Sequence, residues 1–205
     1  MGAARGADGG RVLDEFTVPL PVTIRRWEER DLRALEWNGL QSAFRLNFRA
    51  MFERAEKGEV LLLVAEVKGY PVARLGVDLA RRPGVAYLWS FSVLPRLRGL
   101  GIGARLLEVA QKLASANGFE QAEVAVAEGN PSARRLYEHL GFQVVGTERN
   151  TYAYTRADGS HDSIVEDCLV LRKQLSPAPP AAASSVPSVD VAGGQLRPGE
   201  PGGDR

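Results

Sequence analysis

One cysteine and two histidines are all the chain offers in those residue types across its 205 residues. The single thiol, Cys168, allows no internal disulfide and fits a reducing cytoplasm. His139 and His161 stand far apart in sequence, so a zinc centre of ordinary ligand type is not expected, and no metal is assigned. No stretch approaches the roughly 18 consecutive apolar residues that span a bilayer. A formal net charge of +1 provides no broad basic surface for nucleic acid. The opening MGAARGADGGRVLDEF lacks the apolar core of a secretory signal. Position 6 is glycine, where a myristoylation signal carries Ser or Thr. These absences point to a soluble, cytoplasmic protein with neither nucleic acid nor membrane as partner.

What is present falls into three stretches. Residues 1–18 are Gly- and Ala-rich without periodicity and read as a disordered arm. Residues 176–205 hold six of the twelve prolines and five glycines and no aromatic side chain, so they bury too little apolar surface to offset their ordering entropy. Between these tails, residues 19–175 read as one domain. Apolar spacing predicts a strand over 22–27, helices over 28–37 and 41–57, and strands over 60–67, 72–79 and 85–93. A helix over 104–118, a strand over 122–127 and a helix from Pro131 to Gly141 follow. Strands over 142–146 and 163–171 close the domain, joined by a polar excursion around 156–162. That order predicts an α/β fold with a mixed sheet of about seven strands and helices on its faces.

The most informative segment is Arg98-Gly99-Leu100-Gly101-Ile102-Gly103, between a strand and a helix. Three alternating glycines let a backbone come close to something, and the following helix points its unpaired, positively polarised amides at the same place. Phosphate is the natural guest. Gly99, Gly101 and Ala104 also satisfy a dinucleotide fingerprint, but such a loop normally opens its domain, and here several elements precede it.

A second motif decides between these readings. Downstream runs Asn130-Pro131-Ser132-Ala133-Arg134-Arg135-Leu136-Tyr137-Glu138-His139-Leu140-Gly141-Phe142. With Val93-Leu94-Pro95 and Arg98, Gly101 and Gly103, it resembles the GNAT superfamily of acetyl-CoA-dependent N-acetyltransferases. Asn130, Ala133, Leu136, Tyr137, Gly141 and Phe142 fill that second motif. The resemblance implies a GNAT-like, mostly antiparallel sheet with acetyl-CoA as co-substrate. Backbone amides of Arg98, Gly99, Leu100, Gly101, Ile102 and Gly103 would cradle the pyrophosphate. Main-chain groups of Phe91, Ser92 and Val93 would pair with the pantetheine, the Val93 N–H polarising the thioester. Asn130 would bond the pantetheine chain, and Tyr137 would be the general acid for the departing thiolate. By helical spacing alone Tyr137 reads as a core aromatic beside Leu136 and Leu140, and Asn130 as an N-cap.

A base is not supplied by motif. Relatives that modify protein N-termini carry a glutamate where this chain has Ala125, and Ser90 and Ser92 stand where others carry Glu. The remaining carboxylates are Glu66, Asp78, Glu123 and Glu128. The reading is acetyl transfer to a primary amine by direct attack, the acceptor a small-molecule amine or a peptide or protein α-amine. The alternative is a non-catalytic acyl-CoA sensor. Trp37, Tyr152 and Tyr154 are candidate pocket walls, with Glu36 or Asp162 to hold a cationic amine. Hydrophobic last strands leave room for a homodimer.

Overall fold

Two apolar runs separated by Lys68 and Gly69 form the centre of the structure, a computed structural model that describes residues 14–155 and 159–176. They are the antiparallel strands β2 (Val60–Val67) and β3 (Tyr70–Arg82). Lys68 and Gly69 have φ of 49° and 78°, the paired positive values that a two-residue hairpin turn requires. β1 (Thr23–Arg26) adds antiparallel to β2, and β4 (Val85–Val93) antiparallel to β3. β5 (Gln121–Ala127) joins β4 in parallel, and the antiparallel hairpin of β6 (Gln143–Thr155) and β7 (His161–Gln174) completes the sheet through β7. The described residues thus form a seven-stranded, mostly antiparallel sheet in the order β1-β2-β3-β4-β5-β7-β6.

Helices cover both faces. On one lie α1 (Asp31–Ala34) and α2 (Arg45–Glu56), whose neighbourhood packs Leu35, Phe48 and Met51 against Val60, Leu62 and Val64. On the other lie α3 (Ile102–Ala116) and α4 (Pro131–His139), with Leu106, Leu107 and Ala110 against Leu63, Leu75 and Leu88. Successive β2 residues therefore enter opposite cores, which is why its sequence reads as one apolar run instead of alternating.

Three elements depart most from the sequence expectation. The last two strands are much longer than expected, β6 reaching Thr155 and β7 beginning at His161. Residues 147–151 are polar on both sides of the strand and Tyr152, Ala153 and Tyr154 follow in a row, so alternation gives no signal. The ladder is held by backbone pairing and by cross-strand contacts such as Arg149 to Asp167 at 2.8 Å and Tyr154 Oη to Asp162 at 3.0 Å. The helix expected over 28–37 shortens to Asp31–Ala34, because Trp37, Asn38 and Gly39 take φ of 47°, 56° and 95°. Residues 1–13 and 177–205, which include most of both expected tails, lie outside the described residues.

Candidate active site

The sheet is split at its centre. β4 and β5 pair from Val85 opposite Gln121 to Leu88 opposite Val124 and no further. Both strands nevertheless continue, β4 held by β3 and β5 by β7. A bulge accounts for the divergence. Gly76 faces Trp89 and Arg74 faces Ser92, so Ser90 and Phe91 together oppose Leu75, and Ser90 takes a φ of 52°. Such an extra residue bends its strand and ends pairing on one side. Beyond Leu88 and Val124 the facing edges therefore present backbone donors and acceptors with no partner strand. A cavity of about 1150 Å³ opens there, walled by residues 88–91 of β4, residues 124–127 of β5, and side chains from α2, α4, β6 and β7.

The glycine loop follows β4 through a short 3-10 turn, Pro95–Leu97. Gly99 and Gly101 have φ of 80° and 79°, and a Cβ at either would meet nothing. Their requirement is conformational. Gly103 differs: a Cβ there would lie 2.8 Å from Phe91 Cζ and 3.1 Å from a Val93 methyl, so this glycine lets α3 approach β4. Arg105 N–H donates to Gly101 O at 3.1 Å, leaving the amides of Ile102, Gly103 and Ala104 without intrahelical partners at the loop. Arg98 Nε donates to Val93 O at 3.1 Å and ties the loop to the end of β4. Leu100 is exposed. Ser92, Val93 and the loop do not wall the cavity; they adjoin it through Phe91, which does.

α4 brings the second motif to the opposite wall. Asn130 Oδ1 accepts from Ala133 N–H at 3.1 Å and caps the helix, which leaves its amide group beside the cavity. Tyr137 is 4% exposed, its ring 6.2 Å from Phe91 and 5.9 Å from Phe142. It is thus both a packed aromatic and a wall of the cavity. Burial above all, with Tyr87 and Tyr152 nearby, raises its phenol well above the usual range. Tyr152, also on the wall, is pushed up to about 12, mainly by burial. Tyr137 is therefore a neutral phenol at physiological pH.

The carboxylates predicted as bases are mostly engaged. Glu66 receives Arg25 at 2.7 Å, and fully buried Glu123 is held between Arg82 at 2.7 Å and Arg172 at 2.6 Å. Asp78 reaches the cavity wall but accepts from Arg54 at 3.0 Å. Glu128 is exposed, and Ala125 lines the cavity. Glu36 is gripped by Arg45 through two bonds of 2.7 Å, and Asp162 accepts from Tyr154, so neither stands open to a cationic amine. Trp37 supports the site from behind instead of walling it, with its indole N–H donating to Pro71 O at 2.9 Å. Sequence reasoning missed Glu166, Asn150, Tyr87, Trp89 and Arg74, all on the wall.

Arg74 does carry a sequence signal, as the one arginine inside the apolar run of β3. It is 7% exposed, with its guanidinium 5.1 Å from the Trp37 ring centre and 4.7 Å from that of Phe48. Nε reaches Ser90 Oγ at 3.4 Å and Nη2 reaches Gln41 Oε1 at 3.2 Å, while Nη1 is buried with no partner. Burial lowers its pKa to about 10, so it remains a cation at neutral pH. Two such aromatic contacts offer about 2 kcal/mol each when desolvated, against a burial cost of several kcal/mol for an ion.

Comparison with known proteins places this geometry among relatives. The Acetyltransferase (GNAT) family matches residues 22–142. An uncharacterized N-acetyltransferase of Archaeoglobus fulgidus is 34% identical over 95 residues, a match spanning 44% of this chain and 63% of that relative. The ribosomal-protein-S18-alanine N-acetyltransferase of Escherichia coli superposes with a TM-score of 0.60 at 24% identity, covering 78% of this chain and 98% of that one. The PaiA N-acetyltransferase of Thermoplasma acidophilum, solved in complex with coenzyme A, gives 0.58 at 18% identity, covering 76% and 99%.

Proposed function

The chain belongs to the Acetyltransferase (GNAT) family, and on that footing we propose that it moves acetyl from acetyl-CoA to a primary amine by direct attack in a ternary complex. The observation that carries this reading is the split between β4 and β5, opening onto a cavity that Tyr137 walls. A pantetheine chain needs what the split offers, an unpaired strand edge on each side and a volume between. The loop suits a pyrophosphate on separate grounds: two glycines with positive φ and no obstruction, then three free amides at the positive end of a 15-residue helix.

This chain's residues then divide the work. Amides of residues 98–103 hold the phosphates, and main-chain groups of Phe91, Ser92 and Val93 align the thioester, the Val93 N–H polarising its carbonyl. Asn130, its Oδ1 committed to capping α4, turns its amide N–H to the pantetheine. Tyr137 gives its proton to the departing thiolate. Burial that raises the phenol acts equally on a thiolate leaving beside it, so the transfer stays close to balanced. An α-amine titrates near 8 and a lysine near 10.4, so a site with Ala125 in place of a base favours a small-molecule amine or an α-amine.

The test is thiol release from acetyl-CoA over a panel of amines and short peptides, with CoA binding followed by calorimetry. Amine-dependent release is the expected result. Binding without turnover on any amine would convert the reading to an acyl-CoA sensor, and absence of binding would remove both.

A further inference from the structure

Of the charged side chains on the cavity wall, Arg74 and Glu166 have no ion pair among the described residues. Arg54 is paired with Asp78 at 3.0 Å, and Arg81 with Glu148 at 3.6 Å. Arg74 faces the same space with no carboxylate in ion-pair distance among the described residues. Its Nη1 is buried and unpartnered, and its two other hydrogen bonds are long and to neutral oxygens. A second orphan donor shares the wall: Trp89 Nε1, also buried without a partner. Both belong to the bulged region, Trp89 opposite Gly76 and Arg74 opposite Ser92.

The surroundings hold Arg74 in place. A Cβ at Gly76 would strike the Trp89 ring at 2.7 Å, so glycine is what lets the indole lie there. Trp37 adopts a left-handed φ of 47°, unfavourable for a bulky side chain, and is locked by its bond to Pro71 O beneath the guanidinium. Unfavourable backbone and an unsatisfied buried cation coincide at one spot beside the open strand edge. A buried cation with an unpartnered donor on the cavity wall suits a group that only accepts and carries negative charge.

We propose that Arg74 receives a carboxylate of the acceptor, making the substrate an amine that also carries a carboxylate and not an uncharged amine or a polyamine. The proposal rests on reading this cavity as the acceptor site. A free amino acid and a peptide with an acidic side chain near its N-terminus share this chemistry, and the panel separates them.

The experiment measures thiol release from acetyl-CoA with matched acceptors: L-amino acids against their carboxamides, and peptides beginning Asp or Glu against Asn or Gln. Wild type, Arg74→Met and Arg74→Lys are compared, each checked for folding by circular dichroism and for retained CoA binding. Binding of the same amino acids and amides is followed in parallel by tryptophan fluorescence, since Trp89 walls the cavity and Trp37 lies against the Arg74 guanidinium. The expected result is a preference for the acid of about 10- to 100-fold in kcat/KM, the range for a hydrogen bond to a charged group. Arg74→Met erases it by raising KM for the acid alone, and Arg74→Lys keeps part of it. If Arg74→Met fails to fold, the wild-type ratio and Arg74→Lys decide. Equal rates for acid and amide in wild type, or a preference that survives Arg74→Met, overturns the proposal while the transferase stands. Saturable, Arg74-dependent binding of the acids with no release on any amine supports the carboxylate site and overturns the transferase reading. Neither release nor carboxylate binding overturns both.

Discussion

A tyrosine and an asparagine show how one residue serves two ends. Tyr137 packs between Phe91 and Phe142 and also walls the cavity, and Asn130 caps α4 with one atom and faces the cavity with another. Helical spacing alone reads both as ordinary structural residues; the motif suggests more, and the packed side survives unchanged. Tyr137→Phe therefore tests chemistry with little loss of packing: thiol release falls at least about 100-fold, the lower bound for a general acid, while the melting temperature stays within a few degrees. Because its pKa is raised, the wild-type rate shows no decline from tyrosine ionisation between pH 7 and 10, read from a kcat profile. Arg74 is the opposite case. One charged letter in an apolar strand was visible, but whether a carboxylate would meet it depended on residues from α2, the 37–41 turn and β4, far apart in sequence.

At the scale of elements, the joint between β4 and α3 decides whether the site exists. Its three glycines look alike in sequence and differ in cause. Gly99 and Gly101 need positive φ, and Gly103 needs space. Gly101→Ala meets no atom and costs about 1–2 kcal/mol of backbone strain. Gly103→Ala forces Phe91 and Val93 aside, at about 1–3 kcal/mol for overpacking. Denaturant unfolding should place both variants in these ranges. Calorimetry should show CoA affinity falling more for Gly103→Ala, because Phe91 is the point where the loop meets the cavity. The hairpin of β6 and β7 teaches the reverse lesson. Its outer half mixes polar side chains with Ala153, Ile164 and Val165 in no regular alternation, so no pattern announces a strand, and only pairing with a partner already in the sheet makes it one.

For the whole molecule, paired charges tie peripheral elements to the sheet and make its stability depend on pH. The Arg45 guanidinium, by hydrogen bonds first and charge second, holds Glu36 below its ordinary pKa of 4.5 despite the opposing effect of burial. A depressed folded pKa lends stability that is complete above 4.5 and is lost as pH falls through the lower folded value. Glu36→Gln should therefore melt below wild type at pH 7, the gap narrowing on acidification below pH 4, as followed by thermal unfolding across pH. Sequence alone determined the order of elements in the two motif regions, the glycine loop with its helix, and the family they resemble, since periodicity, glycine and capping residues act over a few neighbours. The tertiary structure decided the rest. Where β4 leaves β5, the bulge at Ser90, the engagement of nearly every expected base, and the unpaired cation at Arg74 all arise from contacts between residues tens of positions apart. No local pattern encodes such contacts, because their energies depend on what arrives from elsewhere in the chain.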